Sequence, residues 1–199
     1  MEMAAIVLCV TYVALTFGAR VAILFYRTGS TGVHGLDTDS PAGFLAGLML
    51  IAALACVLAA PICALLDVVE PNPALDGAVV NWIGVVLVVT GIGLTFAAQL
   101  AMGDSWRIGV NGQEETTLVT SGPFRLVRNP IFAAIVPAVL GFCLMVPSVL
   151  SIAGVATAIA AIEMQVRLVE EPYLLRIHGR AYEEYAARAG RFVPRIGLL

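Results

Sequence analysis

The feature that most constrains this chain is a series of apolar runs close to 20 residues long. A helix needs about that length to cross ~30 Å of hydrocarbon, and only helices or closed barrels satisfy every backbone polar group inside lipid. The runs predict five spans. They cover about Met3 to Tyr26, Pro41 to Leu66 with Pro61 inside, Gly77 to Met102, Pro130 to Val146, and Ser148 to Leu168. The first run exceeds the roughly 7–15-residue apolar core of a signal peptide and lacks a basic leader, so it reads as a retained span. Pro147-Ser148 is nearly the whole link between spans four and five, which makes them a tight antiparallel hairpin. The fold class that follows is all-α: one polytopic membrane domain over 1–199, with three spans in 1–102 and a polar loop, the hairpin and a tail in 103–199. A short amphipathic helix is expected in the tail, anchored at the interface by Tyr182 and Tyr185, with Phe192-Val193-Pro194 ending the ordered chain.

Composition agrees. Hydrophobic residues make up 60% of the chain and charged residues 13%, with a mean hydropathy of +0.94. That balance excludes a soluble globular domain and a disordered one. The charge of −3 and the lack of a strongly basic segment argue against nucleic acid as a partner. The basic residues are all arginines, and their placement sets a direction. With the C-terminus cytoplasmic and the N-terminus outside, Arg27, Arg107, Arg125, Arg128 and the tail arginines all fall on the cytoplasmic side, as the positive-inside rule requires. The outer segments then hold only Glu2, Asp67, Glu70 and Asp76. Arg20 and Arg167 are expected to snorkel at cytoplasmic helix ends. The absence of Lys is compatible with a GC-rich genome and a bacterial inner membrane. Cys9, Cys56, Cys63 and Cys143 lie in apolar runs without metal or redox spacing and read as packing residues.

Polar residues gather at the cytoplasmic ends of spans three to five. Pro123 and Asn129-Pro130 mark two helix starts, and with Arg128 they make a candidate anion-binding corner. The plainer reading is two caps and two headgroup arginines. In the last span, spacings of four, three and four place Glu163, Arg167 and Glu170 or Glu171 on one helical face. They form either an intrahelical ladder or the charged wall of a polar pocket. Pro172 is expected to break or bend the helix beside Glu170 and Glu171. Gly91-Ile92-Gly93 reads as a close-packing site, and Gln99, Thr90 and Thr95 as interhelical hydrogen-bonding groups. Trp106 reads as an interface anchor, and His178 as a surface or packing residue. No residue set suggests a hydrolase or a metal site.

Leu118-Val119-Thr120-Ser121-Gly122-Pro123-Phe124, Arg128-Asn129-Pro130-Ile131-Phe132, Glu170-Glu171, and His178-Gly179 to Tyr185 with Arg191-Phe192-Val193-Pro194 resemble the isoprenylcysteine carboxyl methyltransferase family and its phospholipid methyltransferase relatives. The resemblance covers about the last 80 residues, and its motifs agree in order and spacing. It implies a membrane methyltransferase that uses S-adenosylmethionine, bound in a cytoplasmic pocket, with a lipid-like acceptor entering from the bilayer. It implies backbone contacts to the cofactor from Leu118 and Val119, and a pocket lining from Phe124, where the family has Tyr. Asn129-Pro130-Ile131-Phe132 stands where the family shows His-Pro-x-Tyr. Glu170, with Glu171, would hold the cofactor's polar end, and Arg128 its carboxylate. Arg167 is the expected contact for an acceptor carboxylate, although the family's arginine falls at the position of Val166 here. Glu163 is the candidate base for an acceptor that needs deprotonation.

The acceptor implied first is the carboxylate of a prenylated cysteine or a similar isoprenoid thioether. A carboxylate is already ionised at neutral pH and needs no base. The alternatives are an N-methyltransferase acting on a phospholipid amine, a nicotinamide-dependent reductase of an isoprenoid or sterol-like substrate, and a non-enzymatic membrane subunit or transporter.

Overall fold

In a computed structural model of the chain, residues 1–33, 40–109 and 117–199 are described. The loop expectations for 34–39 and 110–116 lie outside the described residues. The described residues are helical and contain no strand beyond two isolated bridges. We number the helices α1 (Glu2–Thr28), α2 (Pro41–Leu65), α3 (Ala78–Met102), α4 (Pro130–Met145), α5 (Val149–His178) and α6 (Arg180–Ala186). Among the described residues, four of these, α1, α2, α3 and α5, are long and apolar enough to cross a membrane. At ~1.5 Å per residue, α4 extends only ~24 Å, short of a full hydrocarbon core.

Local chemistry sets the boundaries. Ser40 caps α2, its hydroxyl accepting from the Gly43 N–H at 3.3 Å, with Pro41 in the first turn. Ser148 and Ser151 form a reciprocal capping box that turns the chain from α4 into α5. Gly29 closes α1 in the left-handed conformation, at φ 75°.

Packing is most extensive between α3 and α4 and between α2 and α5. Small residues allow the first of these contacts. A Cβ on Gly84 would stand 2.6 Å from the Gly141 carbonyl oxygen, and one on Gly91 2.6 Å from the Ala138 Cβ. Gly93 has nothing within 4 Å, so of the Gly91–Gly93 pair only Gly91 is a packing glycine.

Four expectations need correction. Pro172 does not break the helix. A π turn over Gln165–Glu170 precedes it, and the helix runs on to His178. The wider turn accommodates the missing N–H. Arg20 does not snorkel: it is 1% exposed, donates to the Gly103 carbonyl, and lies 4.9 Å over the Trp106 ring. Trp106 is therefore buried rather than anchored at the interface. Finally, ordered contacts continue past Pro194. The Arg191 N–H donates to the Ile196 carbonyl at 2.8 Å, and the Leu199 N–H to the Ala186 carbonyl at 3.3 Å.

Candidate functional site

The tail folds back onto the segment that enters α4. The Gly190 N–H donates to the Leu126 carbonyl at 3.2 Å, the Arg128 N–H to the Gly190 carbonyl at 2.7 Å, and the Asn129 N–H to the Arg191 carbonyl at 3.1 Å. These bonds close one end of a cavity of about 490 Å³. Along α4 the cavity runs from Pro130 to Phe142, a rise of ~18 Å. Its tail end is polar, with Arg128, Asn129, Gln165, Glu170 and Tyr182 on the wall. Its other end is apolar, closed by Cys9, Val57 and Phe142, which pack into one buried cluster with Met145 and Val146.

The structure brings most of the expected residues to this cavity. Leu118, Val119, Phe124, Arg128, Asn129, Pro130, Ile131, Phe132 and Glu170 all line it. Glu163, Arg167 and Glu171 do not. Glu163 stands two residues, about 200° of helix, before the cavity-lining Gln165. In an ideal α-helix Glu163, Arg167 and Glu170 share a face, but the extra residue of the π turn changes the register between them. Arg167 pairs with Glu163 one turn back, and these side chains are 54% and 40% exposed. Gln165 instead donates to Glu170 at 3.3 Å, five residues on, with Glu170 half-buried on the cavity wall. The ladder reading of Glu163–Arg167 therefore holds, and the pocket-wall reading belongs to Glu170 alone.

Glu171 and Arg128 are also reassigned. The Glu171 carboxylate accepts from Arg128 at 2.6 Å and from Arg191 at 2.9 and 2.8 Å. Arg128 donates as well to the carbonyls of Ala186 at 3.1 Å, Ala189 at 2.6 Å and Gly197 at 3.0 Å. Burial demands this, because an arginine or glutamate taken out of water must be paired and hydrogen-bonded. The expected anion-binding corner is thus filled from within the chain: Arg128 lines the cavity with its charge already met by Glu171. Asn129 occupies the N-cap position without a side-chain cap. Its amide donates instead to the Arg191 carbonyl at 3.2 Å.

Tyr182 and Tyr185 were expected at the lipid interface. They are 1% and 6% exposed, and both line the cavity. Their rings meet edge to face at 6.1 Å, and the Tyr185 hydroxyl donates to the Phe124 carbonyl at 2.6 Å. Burial pushes each hydroxyl up to about 12. Tyr182, Tyr185, Ala186 and Ala189 make a helical apolar stripe, which packs against Leu118 and Leu174. Gln99 also reaches the wall, held by donation to the Thr16 carbonyl at 3.0 Å.

A cleft with a hydrogen-bonding end and an apolar end, partly open at Phe17, Ile51 and Leu54, suits an amphiphile, or a polar cofactor beside an apolar acceptor. Among the described residues no group of three or more His, Cys, Asp or Glu is placed to hold a metal ion.

Comparison with known proteins places this geometry. The phospholipid methyltransferase family profile matches residues 79–181, more than half of the 199-residue chain. The chain is 30% identical over 120 residues to the nickel-cobalt-cadmium resistance protein NccN of Alcaligenes xylosoxydans xylosoxydans, covering 59% of this chain and 54% of that protein. It is 31% identical, with the same coverage, to the cobalt-zinc-cadmium resistance protein CzcN of Cupriavidus metallidurans. A probable protein-S-isoprenylcysteine O-methyltransferase of Oryza sativa is 27% identical over 119 residues, covering 59% of this chain and 62% of that one. The chain thus spans about half the length of the metal-resistance relatives. The solved eukaryotic intramembrane Ras methyltransferase, isoprenylcysteine carboxyl methyltransferase, shares the fold with a TM-score of 0.63 at 22% identity, covering 89% of this chain and 61% of that one.

Proposed function

This chain belongs to the phospholipid methyltransferase family, and from that premise we propose that it is an integral membrane S-adenosylmethionine-dependent methyltransferase. Its acceptor is the carboxylate of a prenylated cysteine or a similar isoprenoid thioether. The observation that carries this reading is the single cavity with Glu170 at its polar end and Val57 and Phe142 at its apolar end.

The residues present suit the cofactor. Its ammonium and ribose hydroxyls match the Glu170 carboxylate, the Asn129 amide and the backbone at Leu118 and Val119, while Phe124, Ile131 and Phe132 offer apolar surface. Arg128 supports the site by holding the tail in place rather than by gripping the cofactor's carboxylate. When bound, S-adenosylmethionine supplies an electrophilic methyl group on a sulfonium, and the acceptor oxygen displaces a neutral thioether. The chain's own part is positional. The polar end orients one reactant, the apolar limb holds the other, and the tail tyrosines keep water from the polar end.

A carboxylate acceptor is favoured over an amine by one finding. Glu163, the candidate base, lies outside the cavity. An amine in its ammonium form must lose a proton before it can attack, whereas a carboxylate need not.

In this reading the chain makes five crossings, with the short α4 in register beside α3. The N-terminus is outside and the polar end of the cavity cytoplasmic, in a bacterial inner membrane. The test is transfer of a labelled methyl group from S-adenosylmethionine into lipid extracts by the purified chain. Label released as volatile methanol on mild alkali treatment marks an ester and is the expected result. Alkali-stable label would mark an amine product and reverse the choice of acceptor.

A further inference from the structure

Arg20 is a charged residue enclosed in the bundle, 1% exposed, on the α1 turn after Thr16, which lines the cavity. Charged groups at such positions are costly and serve function by default. Its guanidinium donates to the Gly103 carbonyl and lies 4.9 Å over the Trp106 ring, while its Nε has no hydrogen-bond partner. No carboxylate pairs with it among the described residues. Asp104, the acid in its neighbourhood, pairs with Arg27 at 3.1 Å, and those two side chains are more than half exposed. Arg107 stands nearby with the same sign and lines the cavity.

Trp106 itself forms part of the cavity wall, so a guanidinium with no paired carboxylate among the described residues lies directly against a wall residue. We propose that Arg20 is a positioning residue whose field selects an anionic group on the acceptor at this level of the cavity, preferring a carboxylate to its neutral methyl ester. The inference rests on the acceptor class read above and adds a direction to it. Methylation removes the acceptor's negative charge, so the field that draws the substrate in does not hold the product.

An anion one contact layer beyond the ring stands roughly 8 Å from the guanidinium. At an effective dielectric of ~20, that pair changes binding by roughly tenfold or more. Arg167, the residue expected from the sequence to meet an acceptor carboxylate, lies outside the cavity.

The experiment compares S-farnesylthiopropionate with its methyl ester as ligands of the full chain in detergent, with S-adenosylhomocysteine present so that no turnover occurs. Wild-type protein is expected to bind the acid more tightly. Arg20→Met is expected to lower the acid-to-ester ratio by about tenfold or more, and Arg20→Lys to retain most of it. S-adenosylhomocysteine affinity is expected to stay within about twofold of wild type in both. A purely structural arginine would shift both ligands together and leave the ratio alone, so an unchanged ratio in Arg20→Met overturns the proposal. If Arg20→Met does not fold, Arg20→Gln carries the same prediction. Wild-type protein that binds the ester as tightly as the acid overturns it without any variant. Failure of the methyltransferase reading shows separately, as wild-type protein that does not bind S-adenosylhomocysteine.

Discussion

Glu170 and Glu171 stand side by side in the chain, yet Glu170 faces the cavity while Glu171 is enclosed by Arg128 and Arg191. They should fail differently. Glu170→Ala is expected to weaken S-adenosylhomocysteine binding by about tenfold or more, since it removes a charged hydrogen-bond acceptor from the wall. Its thermal stability should stay close to wild type. Glu171→Gln leaves two buried or half-buried guanidinium groups without their counter-charge, which costs about 3–5 kcal/mol when a buried pair is broken. A large loss of thermal stability, measured before any ligand is added, is the expected result. Glu163→Ala, outside the cavity, should bind S-adenosylhomocysteine within about twofold of wild type. The tail tyrosines add a pH test. Burial raises Tyr182 and Tyr185 from 10.0 to about 12, so the folded tail favours their neutral form. Their contribution is complete below about pH 10 and is lost as pH rises toward 12. Thermal denaturation followed across that window should show stability falling in Tyr185-containing protein and falling less in Tyr185→Phe.

Among the elements, the helices were legible because lipid itself sets their length, and the starts at Pro123 and Asn129-Pro130 because Pro suits a first helical turn. The direction of side chains in the last span was not. Glu163, Arg167 and Glu170 share a face only on an ideal helix, and no periodicity reveals the extra residue of the π turn over Gln165–Glu170. The tail was misread for a related reason. Tyr182 and Tyr185 suit an interface or a core equally well until the return of Gly190 and Arg191 onto Leu126–Asn129 decides between them. Arg128 lines the cavity, but its partner Glu171 is distant in sequence and could not be read from spacing. Element packing also makes a prediction. Gly141→Ala sets a Cβ 2.6 Å from the Gly84 carbonyl oxygen, so α3 and α4 must part, at about 1–3 kcal/mol. Gly93→Ala meets nothing within 4 Å and should unfold at the wild-type temperature. Equal thermal stabilities for the two variants would contradict the seam.

At the scale of the molecule, the parts form one device: two helix pairs enclose a space, and the tail closes its polar end through Arg128, Glu171 and Arg191. In the proposed orientation a C-terminal green fluorescent protein fusion should fluoresce, and alkaline phosphatase fused in the 67–76 loop should be active. The relatives named for metal resistance match this chain over 120 residues, and the described residues place no metal-holding cluster here. On the proposed function, the polar end of the cavity is built to hold S-adenosylmethionine. Calorimetric titration of the detergent-purified, lipid-supplemented chain with S-adenosylhomocysteine tests it most directly. Saturable binding in the micromolar range, lost in Glu170→Ala, is the predicted result. Folded protein that shows no heat of binding with S-adenosylhomocysteine but saturates with a reduced nicotinamide cofactor would contradict it.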